Sequence, residues 1–307
     1  MKHIVVIFSV LIGMSLTGCG GGSSSGSGGR SGSSEGFLTL SITDAAIDEV
    51  TEVWVQFTAI ELKPAGSPSF TISFDSPVNI NLLSLQGSLS QDFFNKAVVD
   101  SGVYNWVRLA VNAEADGTFD SYLVMKDGSQ HELHIPSGSQ TGLKINDSFV
   151  VDRNTESSMT IDFDLRKSIV MSSGEYHLKP VLRLVENSKS GSITDGISSD
   201  LTVGTDCSDD LPETGNAVYV FNGADAEVDD IDNQLPEPVT TALLTLNVAT
   251  GEYDYDIGFL PEGAYTVAFT CMADQDDPEV DDAIVFSQVS NVTVTSPETT
   301  GGAEFNR

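Results

Sequence analysis

Val53-Trp54-Val55-Gln56-Phe57-Thr58-Ala59-Ile60-Glu61-Leu62 sets apolar and polar side chains in near-strict alternation. A period of two puts alternate residues on opposite faces of an extended strand, so one face must find a core. Similar stretches recur at 37–42, 104–111, 121–125, 132–135, 159–165 and 176–185. A second series runs through 217–221, 242–248, 253–259, 264–270, 284–286 and 289–294. Turn signals such as Lys126-Asp127-Gly128 and Pro136-Ser137-Gly138 separate several of them. Many short strands and few helical runs predict an all-β chain of two β-sandwich domains. Residues 89–99 are the best candidate for a short helix.

Charge divides the chain. Residues 191–307 hold 24 Asp and Glu against one basic residue, Arg307, whereas 1–190 hold 21 acidic and 13 basic residues. This asymmetry predicts a first domain over 37–187, a linker over 188–200 and an acidic second domain over 201–307. The net charge of −31 argues against nucleic acid or anionic headgroups as partners, since both need basic patches.

Met1-Lys2-His3 precede an apolar run over 4–14 that only Ser9 and Gly13 interrupt. One positive charge, a short apolar core and small residues are the layout of a secretory signal peptide. The run is well short of the roughly 20 residues a spanning helix needs. Leu16-Thr17-Gly18-Cys19 resembles the bacterial lipobox. That resemblance implies a lipoprotein signal peptide over 1–18, diacylglycerol and palmitate-type acyl chains on Cys19, and an anchor in a membrane. Gly20 behind the cysteine implies the outer membrane, with the periplasmic and outer faces both open. Between 20 and 36 only Arg30 and Glu35 are neither Gly nor Ser. Such a tether behaves as a coil with a reach of about 20–25 Å.

Within the first domain, ITDA at 42–45, DEVTEVWVQFTAIELKP at 48–64, NLLSLQG at 81–87 and YNWVRL at 104–109 stand in order. HIPSGSQTGLKI at 134–145, IDFDLRKSIV at 161–170 and HLKPVLRLV at 177–185 follow. Together they resemble the domain-of-unknown-function 4382 family, which implies an exported β-sandwich and no known activity. In the second domain, GEYDYDIGFLPEGAYTV at 251–267 resembles the carboxypeptidase-regulatory or transthyretin-like sandwich. That resemblance implies a hairpin about the Leu-Pro-x-Gly turn.

If Cys19 carries lipid, Cys207 and Cys271 remain as a pair in an oxidising compartment, with two free thiols as the alternative. Asp274, Asp276, Asp277, Glu279, Asp281 and Asp282 place six carboxylates in nine residues. Carboxylates this dense repel one another unless a cation neutralises them, and calcium takes six to eight oxygens. They are the candidate metal ligands, with a second acidic loop over 225–232 as a candidate neighbour. The EF-hand pattern is absent, and a solvated loop is the competing reading.

No catalytic residues emerge. His131 and His134, three apart on a strand, face opposite ways. Asp162 and Asp164 beside Arg166 and Lys167 read as an ion-paired patch on a solvated face. No serine sits in a Gly-x-Ser-x-Gly elbow. The expected function is a non-enzymatic, membrane-anchored lipoprotein of the cell envelope that binds an envelope protein or glycan. A calcium-stabilised adhesion or matrix module is the alternative. An anchored hydrolase, whose pocket would draw on His131, His134 or His177, comes last.

Overall fold

In the computed structural model of the protein the described residues are 35–45, 47, 50–135, 142–172, 174–203, 207, 214–302 and 305. Contacts divide the chain into 1–33 and one compact unit over 34–307. The signal peptide, Cys19 and nearly all of the tether lie outside the described residues.

The first sandwich runs from β1 (Glu35–Ala45) through β2 (Val50–Pro64), β3 (Phe70–Asn81), β4 (Gln91–Asp100), β5 (Gly102–Asn112), β6 (Tyr122–Met125) and β7 (Gln130–His134). It continues with β8 (Leu143–Ile145), β9 (Phe149–Val151), β10 (Glu156–Asp164), a single helical turn α1 (Leu165–Ser168), β11 (Ile169–Ser172), β12 (Glu175–Leu178) and β13 (Leu182–Glu186). One sheet has the order β13-β10-β1-β4. The other is β11-β12-β7-β6-β2-β5-β8, with β3 also on β2 and β9 also on β5. Leu38, Leu40, Ile42, Ile161 and Phe163 of the smaller sheet pack with Val53, Val55, Phe57, Ile60, Leu62, Val107 and Leu109 of the larger.

In β2 the fully enclosed positions run 53, 55 and 57, then 60 and 62, with Val50 and Ala59 buried less completely. A register shift between Phe57 and Ala59 makes Thr58 the extra residue. Such a bulge resets the phase of a strand and keeps its apolar side on the core.

Residues 91–100 are strand β4, not the short helix expected over 89–99, and β4 pairs antiparallel with β1. Leu38 opposes Ala97 while Leu40 opposes Phe94, and Lys96 takes φ 55° in the irregularity between them. The bulge buries the adjacent Phe93 and Phe94 together, a spacing that imitates a helical face. The stretch 176–185 is two strands, broken at Lys179-Pro180, where proline cannot donate to a ladder.

The second sandwich consists of β14 (Ser190–Ile197), β15 (Ala217–Asn222), β16 (Thr240–Leu243), β17 (Thr245–Leu246), β18 (Tyr253–Pro261), β19 (Gly263–Thr270), β20 (Gln288–Val294) and β21 (Thr299–Gly301). Its sheets are β17-β18-β14-β21 and β16-β15-β19-β20. Three expectations are corrected here. The supposed linker over 188–200 contains β14, which pairs with both β18 and β21 and buries Ile193 and Ile197 in the core. The Leu-Pro-x-Gly segment does not close a hairpin, because β18 and β19 belong to different sheets. Phe259 takes φ 53° at a bulge against β14, and the chain passes to the other sheet between Pro261 and Gly263. Residues 284–286 form no strand.

Cys207 and Cys271, 64 positions apart in sequence, form a disulfide with Cα atoms 4.8 Å apart. In the chain-entropy model a loop of that length contributes about 4 kcal/mol. Reduction should therefore lower the urea midpoint of the full chain clearly, whereas the Cys207→Ala/Cys271→Ala variant should show no further response to reductant. An unshifted wild-type midpoint would mean that the bridge stabilises nothing.

The two sandwiches meet through β10 and α1. Asp162 and Asp164, expected on a solvated face, are each only 6% exposed. The second sandwich covers that face: Asp162 and Asp44 share a small polar cavity with Thr240, Thr241 and Asp256. Asp162 accepts from Arg183 Nε at 2.5 Å. Burial pushes the Asp164 carboxyl above its ordinary range, opposed chiefly by the Lys167 charge. Lys167 itself donates to the Pro238 carbonyl and lies 3.0 Å from Glu237. Ser88 donates its N–H and Oγ–H to Asp256 at 2.8 and 2.9 Å. Close by, a Cβ on Gly258 would stand 2.5 Å from the Gly87 carbonyl oxygen. Only glycine fits that approach.

Candidate calcium site

Ala217-Val218-Tyr219-Val220-Phe221 is buried residue for residue, the pattern of a strand covered on both faces. One face of β15 and β19 points into the sandwich core. On the other, Tyr219, Phe221 and Ala268 pack with Ile231 and Ala273. The Phe286 ring lies 5.3 Å from that of Tyr219. These apolar anchors hold two long loops, 223–239 and 271–287, against one side of one sheet. The acidic residues ride on those loops.

Asp230, Asp276 and Asp282 each offer a carboxylate oxygen within 4.8 Å of the other two, and Asp230, Asp232 and Asp281 do the same. Oxygens bound at about 2.4 Å to one calcium can stand no more than about 4.8 Å apart, so both triads meet that limit and share Asp230. Asp230 is 1% exposed. Its Oδ2 accepts the Asp282 N–H at 2.5 Å, whereas its Oδ1 is buried with no hydrogen-bond partner among the described residues. Such a carboxylate oxygen is costly to leave unmatched.

Asp276 accepts from the Tyr219 hydroxyl and, at Oδ1, from the Ile231 N–H at 3.1 Å. Burial pushes its carboxyl up to about 6, against the lowering effect of the Tyr219 bond and the Arg166 charge. Arg166 of the first sandwich donates to the Ala273 carbonyl at 2.7 Å, and its guanidinium lies 5.9 Å from the Tyr219 ring centre. The acidic centre therefore stands directly beside the junction of the two sandwiches.

Of the six carboxylates singled out in sequence, the fold brings Asp276, Asp281 and Asp282 to the centre. The others do different work. Asp277 builds the loop, donating its N–H to Asp282 Oδ2 and accepting from the Glu279 N–H. Glu279 is exposed and pairs with Lys179 at 2.7 Å. Asp274 is exposed in the short helical turn Ala273–Gln275 and joins neither triad. Asp230 and Asp232 come from the loop 44–52 residues upstream. The acidic run over 225–232 was their only sequence signal.

No described helix is long and apolar enough to cross a membrane. No curated protein sequence matches the chain. Among solved structures, the chain is similar to the minor pilin GBS52 of Streptococcus agalactiae at 12% identity, covering 88% of this chain and 98% of the pilin with a TM-score of 0.17. It is similar to a putative adhesin of Bacteroides ovatus at 9% identity, covering 93% and 95% with a TM-score of 0.19. The major pilin of Streptococcus pyogenes matches at 14% identity over 87% and 95%, with a TM-score of 0.16. Scores this low carry no argument about fold or role. The family comparison is more specific: residues 35–180, from the start of β1 to just past β12, match the family model of a domain of unknown function, DUF4382.

Proposed function

We propose that the protein is a non-enzymatic module of the bacterial cell envelope, held to the outer membrane by lipid on Cys19, in which calcium organises the end of the second sandwich. The lipobox-like LTGC and the Gly/Ser run behind it support the anchor. The observation that carries the calcium reading is Asp230, a buried carboxylate at the meeting point of both triads with one oxygen unmatched. Bound calcium would take Asp230, Asp276 and Asp282, with Asp232 and Asp281 on its solvent side. It would fasten the two loops to each other beside the contact with the first sandwich. A loop end stiffened in this way is a surface on which an envelope protein or glycan can bind.

The test is calorimetric titration of the full chain with calcium in mild detergent. One calcium per chain is expected, with uptake lost in Asp230→Asn and retained in Asp274→Asn. Equal uptake by wild type and Asp230→Asn would remove the site.

A further inference from the structure

A second group of metal-ligating side chains lies in the first sandwich, on residues from two separate strands. β12 runs parallel to β7 and sets His177 opposite His134. Glu175, two residues earlier on β12, shares the His177 face. The two imidazole rings stand edge to face with centroids 4.2 Å apart, and His134 Nε2 lies 3.6 Å from Glu175 Oε2. One donor atom from each of the three lies within 4.8 Å of the others. His177 Nδ1 is buried and has no hydrogen-bond partner among the described residues.

We propose that His134, His177 and Glu175 form a site for a divalent transition metal, with Zn²⁺ as the best fit. Two imidazole nitrogens and one carboxylate oxygen are donors zinc takes at about 2.0–2.2 Å, with water in the remaining tetrahedral position. Donors at that radius stand about 3.3 Å apart, close to the His134–Glu175 separation. Calcium and magnesium, which take oxygen ligands, are poorly served by this set. The metal would also meet the unmatched His177 nitrogen. Its structural effect follows from the register. β7 and β12 pair through Tyr176–Leu133 and His177–His134, so a metal across that second pair would clasp the β11–β12 hairpin to the rest of the sheet. His131, on the other face against the Tyr176 ring at 5.0 Å and within 3.0 Å of the Ser129 hydroxyl, takes no part. His131 and His134 lie on opposite faces of β7. His134 finds its partners on β12 instead.

The experiment titrates the chelator-treated full chain with zinc chloride, with calcium in excess to occupy the acidic loops. One zinc per chain is expected. Loss of an outer-shell partner of a metal ligand already costs about 10–100-fold, so His134→Ala and His177→Ala should each weaken binding at least a hundredfold. Glu175→Ala alters an exposed side chain and should weaken binding at least tenfold with the metal-free unfolding midpoint unchanged. His131→Ala should bind as wild type. Co²⁺ should give the visible absorption of a tetrahedral site, and zinc should bleach it. Zinc uptake that is absent, or unchanged in both His177→Ala and Glu175→Ala, would overturn the proposal.

Discussion

Saturating calcium should raise the thermal unfolding midpoint of the full chain by roughly 5–10 °C over the same protein in EDTA, and Asp230→Asn should abolish the rise. A ligand that binds only the folded state stabilises it by about 2.7 kcal/mol at a hundredfold excess over its dissociation constant. For a folded body of this size each kcal/mol moves the midpoint by about 2–4 °C. The variant has a second signature. In EDTA, Asp230→Asn should melt no lower than wild type, because an amide keeps an acceptor for the Asp282 N–H and relieves repulsion from Asp276 and Asp282. An acidic cluster that is only a solvated surface predicts superimposable melts with and without calcium. A variant that is equally unstable in both conditions would make Asp230 a packing residue alone.

Arg166→Ala should cost about 3 kcal/mol and split the unfolding of the two sandwiches into separate transitions. Arg166 is 4% exposed, donates to the Ala273 carbonyl and sits against the Tyr219 ring. A hydrogen bond to a charged group contributes about 1.5–3 kcal/mol, and a buried cation–π contact about 2 kcal/mol. Part of that sum returns with the relieved desolvation of the guanidinium. Urea unfolding followed by tryptophan fluorescence reports on the first sandwich, since Trp54 and Trp106 both lie there. Far-ultraviolet circular dichroism follows both. The two curves should coincide in wild type and separate in Arg166→Ala. Arg166→Lys should fall between, because lysine keeps the charge but not the planar fork. Coincident curves and a loss below about 1 kcal/mol would mean that α1 does not hold the sandwiches together.

What could be read from the sequence was whatever depends on near neighbours. The alternation in β2 is a local property of an extended chain, and its apolar positions locate the core correctly on both sides of the Thr58 bulge. The acidic run over 274–282 and the pairing of the last two cysteines are likewise compositional. What failed needed a distant partner. β14 reads as polar linker because Ser190-Gly191-Ser192 opens it. It is a strand because β18, some 60 residues later, pairs with it. Asp162 and Asp164 alternate with apolar neighbours as any half-exposed strand does. The second sandwich lies on their side, and nothing in β10 announces it.

The same division separates the two candidate sites. An acidic run is visible as letters, so half of the proposed calcium centre was legible. Asp230 became its pivot only because Ile231 and Ala273 anchor two loops on one sheet face. For the proposed histidine site the sequence offered His134 and His177 as separate letters, with nothing to say that they meet or that Glu175 joins them. His134 and His177 are brought side by side by a parallel register, and such a crossover pairing is decided by the whole topology. Strand periodicity and charge asymmetry are local, and the sequence determined them unaided. Which faces are covered, which strands are neighbours and which carboxylates or imidazoles converge are non-local. Only the closed tertiary structure decided those, since burial and register depend on residues tens of positions apart.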